Sequence, residues 1–354
     1  MQNLQIALRF SEVDEINMKI KILIGLLLLI AFVSTAQKYN FVVAQDGTGQ
    51  FRTVQEAFNA VPDFRKKPTT IYIKKGIYQE KLVLAESKAM VKIVGESLNE
   101  TIIQYDDFAQ KKNIFGEEKG TTGSSGFYVF GNEFSAQNIT FQNTAGPVGQ
   151  AVAVWVKGDK VQFRNCRFLG FQDTLYPRES KSRQYYKNCY IEGTTDFIFG
   201  PSTAVFQNCT IRAKSNSYIT AASTTEGKNF GDVFLNCKII ADPTVTKLFL
   251  GRPWRAHAKT AFIRCELPKQ IAAEGWNNWG NPANETTVRY VEYKSTGEGA
   301  SAAKRVAWSK QLSDKEAKEY TLENIFSNCN ATVQQESNWF QQIRTNAFEW
   351  PAAK

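Results

Sequence analysis

The sequence predicts an all-β chain wound as a solenoid, and three observations carry that prediction. Gln150, Asp173 and Asp196 fall 23 residues apart in succession, and Cys166 and Cys189 repeat the offset; a fixed period of this size marks chains whose turns stack on one another. Phe163-Arg-Asn-Cys-Arg-Phe168, Tyr186-Lys-Asn-Cys-Tyr-Ile191, Phe206-Gln-Asn-Cys-Thr-Ile211 and Phe234-Leu-Asn-Cys-Lys-Ile239 read as copies of one short alternating strand. At about 3.3 Å per strand residue, a coil of that period is roughly 75 Å around, enough for three short strands joined by turns. Coils stack about 4.8 Å apart, so residues of equal phase form ladders. With Cys166 under Cys189, Asp173 lies under Asp196 and Gln150 below both. Two carboxylates and a carboxamide then share one outer face.

The 354 residues are 43% hydrophobic, ample for a core, and carry a net charge of +9 from 43 basic and 34 acidic residues. That balance favours an acidic partner: nucleic acid, anionic lipid or an acidic polysaccharide. The N-terminus narrows the choice. Met18-Lys19-Ile-Lys21, an apolar run from Ile22 to Val33, and Ser34-Thr35-Ala36 together read as a secretory signal peptide cleaved after Ala36. The run is too short for a membrane span of about 20 residues, and a buried hydrophobic helix fits its flanks less well. Residues 1–17 read as an extension upstream of a start at Met18. The expected product is exported to the periplasm, cell surface or exterior, with no membrane attachment once the signal is removed. Residues 1–36 hold three basic and three acidic groups, so the 318-residue remainder keeps its +9. For an exported basic protein, an acidic extracellular polymer is a better partner than nucleic acid.

After the signal, Thr53-Val-Gln-Glu56 forms a capping box opening a short amphipathic helix that Pro62 stops. This helix is expected to plug the first coil. β-Branched runs follow at Thr70-Ile-Tyr-Ile73, Lys81-Leu-Val-Leu84, Met90-Val-Lys-Ile-Val94 and Thr101-Ile-Ile103, punctuated by Gly76 and Gly95. A polar insertion from Asp106 to Thr122 loops off the coil near the carboxylates. Strand texture resumes at Gly126 and lasts to about Leu267. Residues 271–309 hold Trp276, Trp279 and Trp308 among loops, and Ser313 caps a helix to Phe326. This loop-and-helix tail packs along one side of the coil or covers its end. No linker separates a second domain, so residues 37–354 form one.

Five of the six cysteines fall on the repeats. They read mainly as a column of small buried thiols, with at most one disulfide; if one forms, the short separation of Cys189 and Cys209 selects that pair. Asn138 and Asn208 sit in glycosylation-like triplets that strand texture makes incidental. The single His257, read as a surface residue, argues against Ser–His or Cys–His triads and most zinc sites. No glycine-rich phosphate loop is present. Paired carboxylates remain: stacked aspartates split their pKa values and can supply an acid and an anionic nucleophile. Spacing alone leaves open that both are exposed turn residues.

Gly76-Ile-Tyr-Gln-Glu80, Gln150-Ala-Val-Ala153, Gln172-Asp-Thr-Leu175, Asp196-Phe-Ile-Phe-Gly200 and Leu250-Gly-Arg-Pro-Trp254 occur in that order. Together they resemble the pectin methylesterase (pectinesterase) family, over about Val42 to Trp308. The resemblance implies a single-stranded right-handed parallel β-helix that hydrolyses methyl esters of polygalacturonate, releasing methanol, with no metal or cofactor. Asp196 resembles the nucleophile, Gln150 and Gln172 the oxyanion donors, and Asp173 the acid that then becomes the base. Arg252 is expected to pair with Asp196, lowering its pKa, while that of Asp173 rises. Trp254 resembles a substrate-stacking aromatic, with Trp276, Phe197, Tyr176 and Thr122 as further groove candidates; Tyr78 and Glu80 sit in a motif of less defined role, and Glu80 reads as structural. The implied partner is methyl-esterified homogalacturonan, met by a monomer. The insertion at 106–122, Trp155 and Pro177-Arg-Glu-Ser-Lys-Ser182 depart from the commoner family pattern at the groove walls. Two alternatives stand beside this reading: another pectin-active β-helix enzyme, glycosidase or lyase, and a non-catalytic β-helix that binds anionic polysaccharide.

Overall fold

The computed structural model of the protein describes residues 39–327 and residue 339. The signal-peptide segment and Cys329 lie outside the described residues. From Phe41 to Ser327 the described chain forms one compact unit. Among the described residues the strands form three parallel sheets, of eleven, seven and seven strands, and from Thr69–Ile73 to Lys259–Ile263 successive strands pass from sheet to sheet in turn. Crossovers between parallel strands wind right-handed. The result is a right-handed, single-stranded parallel β-helix.

The corner between the first two sheets explains the repeated hexapeptide. It is not one strand but two: Val161–Arg164 belongs to the eleven-stranded sheet and Arg167–Leu169 to its neighbour. Between them Asn165 is left-handed at φ 47°, and Asn138, Asn188, Asn208 and Asn236 hold the same corner at 56°, 54°, 53° and 52°. Asn enters this region at lower cost than most residues because its short amide can bond locally. Asn165 Nδ2 donates to Asn138 Oδ1 at 2.7 Å, one coil below. The amides of Asn138 and Asn208 thus occupy structural corners. Two strands set at an angle both turn their apolar residues inward, so Phe163, Cys166 and Phe168 are all buried.

Inside the coil the aromatic phase is strict. Phe163, Tyr186, Phe206, Phe234 and Phe262 stack nearly parallel with ring centroids 5.2, 4.7, 4.6 and 4.4 Å apart, which matches the rise of about 4.8 Å per coil. The sequence period is looser. Phe163 pairs with Tyr186, Tyr186 with Phe206 and Phe206 with Phe234, so steps of 23, 20 and 28 residues span the same rise. Outward loops absorb the difference. The five described cysteines are free thiols, and the Cys189–Cys209 bridge does not form. Instead Sγ of Cys189, Cys209, Cys237 and Cys265 contacts the carbonyls of Phe163, Tyr186, Phe206 and Phe234 in the preceding coil, at 3.5, 3.4, 3.3 and 3.5 Å.

The first coil is covered, and the tail lies along the side of the coil. The helix Val54–Ala60 carries the expected Thr53–Glu56 capping box and buries Val54, Ala57 and Phe58, with Phe58 stacked on Phe127 at 5.7 Å. Glu80 is structural: its carboxylate accepts the N–H groups of Val54 and Gln55 at 3.0 Å each, donors that a helix N-terminus leaves unpaired. In the tail the expected single helix is two, Asp314–Ala317 and Leu322–Ser327. The chain breaks so that Tyr320 can bury its ring edge-on to Phe230 at 5.5 Å, and Thr321 Oγ1 recaps the second helix through Asn324 N. Ile325 and Phe326 then pack with Tyr185 and Val205 on the outer face of the long sheet.

A carboxyl group sits within the coil itself. Asp232 pairs in register with Ala204 below and Thr260 above, followed by Tyr290, and is 1% exposed. Burial pushes its carboxyl well above the usual range, against the opposing charge of Lys228. A carboxyl whose folded pKa is raised binds a proton in the folded state that the unfolded chain has released. Its contribution is therefore full below the unfolded pKa of about 4 and is lost as pH rises towards the folded value, by up to about 1.4 kcal/mol per pH unit. Asp232→Asn should remove that slope. Unfolding midpoints compared at about pH 5 and about pH 8 should show the variant gaining on the wild type as pH rises; parallel curves would refute a neutral buried Asp232.

Candidate active site

The third sheet builds the site. Its strands Val154–Val156, Leu175–Pro177, Ile198–Gly200 and Tyr218–Ala222 lie side by side, and the turns entering them carry the polar residues. Leu175 pairs with Ile198, which keeps Asp173 under Asp196 as the spacing predicts. Gln150 departs from that reading: it bridges Gln172, not Asp173, because the coil below is shorter by one or two residues at this point. The two carboxamides are therefore neighbours, as the two carboxylates are.

Both aspartates are left-handed, Asp173 at φ 65° and Asp196 at φ 50°. Non-glycine residues there cost on the order of 1–3 kcal/mol, and such strain gathers at functional sites. The backbone is held by Asp173 N to Thr195 O at 3.1 Å and Asp196 N to Tyr218 O at 2.8 Å. The conformation leaves each carboxyl at the cleft while the next residue, Thr174 or Phe197, turns under it and is fully buried. Gly200, at φ 142°, closes the motif where a Cβ would lie 2.1 Å from Pro177 O.

Arg252 reaches back from two coils on and grips Asp196 with both prongs, Nε to Oδ1 at 3.0 Å and Nη2 to Oδ2 at 2.6 Å. Its guanidinium lies between two rings, 4.0 Å from the Tyr218 centroid and 3.7 Å from that of Trp279. Planar stacking with a fork on carboxylate is geometry Lys cannot reproduce. Burial nevertheless outweighs this partner: the Asp196 carboxyl sits above its ordinary value, with Arg252 pulling it down. The expected lowering does not occur. Asp173 is raised further, first by burial and then by the charge of Asp196, with Arg252 opposing. The ranking of the pair survives: Asp173 holds its proton more firmly.

A cleft of about 530 Å³ opens over these groups, lined by Gln150, Gln172, both aspartates and Arg252, with Thr122, Tyr176 and Trp254 on its walls. Two expected wall residues are absent. Phe197 is 0% exposed in the core, and Phe199, one strand period on, faces the cleft instead. Trp276 is 1% exposed, tilted against Tyr290 at 4.6 Å and bonded through Nε1 to Glu292; Trp279, 36% exposed, takes the cleft position. Sequence reasoning missed Phe199 and Trp279. Lys119, Gly120 and Thr121 bring the 106–122 insertion to the cleft edge. Outside the pocket the aromatic face continues through Trp155, Tyr128 and Phe130. His257 lies elsewhere, 3.9 Å from Glu226. Among the described residues no three His, Cys, Asp or Glu side chains converge as metal ligands.

This geometry can be set beside known proteins. The sequence model of the Pectinesterase family matches residues 40–329. Pectinesterase 31 of Arabidopsis thaliana is 39% identical over 283 residues, covering 78% of this chain and 88% of that protein. The chain spans about half the length of other curated relatives, among them a probable pectinesterase/pectinesterase inhibitor of Brassica napus. Of solved structures, the pectin methylesterase from carrot superposes with a TM-score of 0.77 at 34% identity, covering 83% of this chain and 95% of its own. A pectin methylesterase in complex with a hexasaccharide gives 0.74 at 30% identity, covering 84% and 100%.

The titration of Asp196 gives a test. Its carboxyl resonance should move at a pH above the ordinary carboxylate range, since burial raises it. Arg252→Lys keeps the charge but loses the fork and should raise the midpoint somewhat; Arg252→Ala should raise it further. A midpoint at or below the ordinary Asp value of about 3.9 in the wild type would contradict the dominance of burial.

Proposed function

The chain belongs to the pectinesterase family, and from that premise we propose the following mechanism and setting for its activity. It is a carboxylic ester hydrolase that removes methyl esters from pectin. The observation that carries the residue assignment is the Arg252 fork on Asp196 beside a second, more strongly proton-holding carboxyl. Asp196, the more readily ionised and the one aimed by Arg252, attacks the methyl-ester carbonyl carbon. The N–H groups of Gln150 and Gln172 receive the oxyanion. As the intermediate collapses, the C–O bond to the methoxy group breaks and Asp173 gives its proton to it, releasing methanol and leaving an acyl–Asp196 anhydride. Asp173, now anionic, takes a proton from water; the hydroxide adds to the acyl carbon and Asp196 leaves as carboxylate, with the pectin carboxylate as product.

The substrate is methyl-esterified homogalacturonan, bound by a monomer. A solved pectin methylesterase in complex with a hexasaccharide supports an oligomeric ligand for this cleft. So do the cations set over its aromatic faces: Arg178 lies 5.8 Å from the Tyr176 centroid and Arg255 4.6 Å from that of Trp254, where they can meet free carboxylates. Export through residues 1–36, leaving 37–354 as one catalytic domain, fits a polymer found outside the cell. A retaining glycosidase also uses two carboxylates, but it has no need of two stacked carboxamides beside them.

Two experiments test the proposal. Highly methylated pectin should yield methanol without new reducing ends, and Asp196→Asn should abolish release while Asp173→Asn lowers it by about 10²–10⁴; reducing ends without methanol would establish a glycosidase or lyase instead. Trp254→Ala should cut turnover of polymer at least about tenfold while leaving a monomeric methyl galacturonate little affected, because remote binding energy is what the polymer adds. Equal wild-type rates on monomer and polymer would count against an extended groove.

A further inference from the structure

A carboxamide is an oxyanion donor only when the correct end faces the substrate. Gln150 has an N–H₂ end and a C=O end of nearly the same shape, and an unconstrained amide would present either. Its Oε1 accepts a hydrogen bond from Gln110 Nε2 at 3.2 Å. With the oxygen engaged there, the Nε2 end is left for the cleft that Gln150 lines.

Gln110 belongs to the polar insertion, and that insertion is pinned. Asp107 is 1% exposed at its side chain and receives Lys81, Lys119 and Lys111 at 2.6, 2.6 and 3.1 Å. Asn143 Nδ2 donates to the Asp107 carbonyl at 2.8 Å. Three lysines on one buried carboxylate draw together a strand of the coil and both arms of the insertion. Ala109 N donates to Gln150 O at 2.8 Å and Gly120 N to Ala109 O at 2.9 Å, so the residue just before Gln110 is tied both to Gln150 and to the far arm of the insertion. Gly149, at φ 104°, completes the seat: a Cβ there would lie 3.0 Å from Gln110 Oε1. The glycine leaves the space that the Gln110 amide fills.

We propose that Gln110 is a positioning residue, whose N–H holds the Gln150 oxygen and thereby turns the Gln150 N–H towards the developing oxyanion. The proposal rests on the esterase reading and adds to it a residue that touches neither the aspartates nor the ester. It also gives the insertion a task in the reaction beyond walling the groove.

Hydrogen-bond polarity separates this role from a structural one. Gln110→Met keeps the length without a partner, Gln110→Glu can only accept, and Gln110→Lys can only donate. Methanol release from pectin is followed at saturation, each variant at its own pH optimum so that altered charge does not enter through the aspartates. Gln110→Lys should keep kcat near the wild type. Gln110→Met should lose several-fold, and Gln110→Glu should be the slowest, about tenfold or more down, since it draws the Gln150 N–H away; loss of a whole oxyanion donor, about 10²–10³, is the ceiling. KM should move little, because the interaction matters in the transition state. Equal loss in all three variants, wild-type rates in all three, or a Glu variant faster than the Lys variant would each overturn the positioning role. A wild-type protein releasing no methanol would instead overturn the esterase reading, and this inference with it.

Discussion

The rise of one coil on the next is the constraint from which the rest of the structure follows. Parallel ladders fix it near 4.8 Å, and the interior stack from Phe163 to Phe262 reads it out as ring spacings of 5.2 to 4.4 Å. Sequence steps between those rings vary, yet the rise does not. Loops can therefore lengthen outside the coil without moving the sheets, and residues far apart in sequence return to the same place in space. Asp173 and Asp196 come from successive coils and Arg252 from two coils further on, and only the ladder makes them one site. In five successive coils a left-handed corner Asn holds the angle at which the chain turns from one sheet to the next, and Arg264 and Lys294 take that conformation in the coils that follow.

Much of this was legible because the informative quantity was phase. The Asp173–Asp196 stack and the buried thiols follow from residue type at a repeated offset, and the capping helix from a local signal, its Thr53–Glu56 box. What failed was local. The Phe-x-Asn-Cys hexapeptide alternates like a single strand, and nothing in its letters distinguishes that from two strands around a left-handed Asn. Phe197 and Phe199 carry equal weight in sequence. Because Asp196 is left-handed, Phe197 and Ile198 both turn inward and alternation starts only at Ile198. Trp276 and Trp279 pose the same problem in a loop with no period at all.

The electrostatics show a different limit. The sequence identifies Arg252 as a partner for Asp196, and the fork is there. It does not show how much water the cleft removes from the carboxylate, and that removal decides the sign of the shift. Lowering by a cation and raising by burial are separate effects; a motif announces the first and only a packed structure contains the second. Both aspartates are consequently held above their usual range, with Asp173 higher, and the acid–nucleophile division rests on their difference rather than on opposite shifts.

The described thiols bear on how such a protein can be made. Each of the four upper ones leans on a carbonyl of the coil beneath, and none of the five is cross-linked. No covalent loop closure restrains the unfolded chain over this stretch, so its cohesion is the sum of neighbour-on-neighbour contacts between coils, as in other stacked arrays. Oxidative folding machinery has no bond to form there. The wound part of the molecule is held by packing alone, with no bond among its described thiols whose reduction could loosen it.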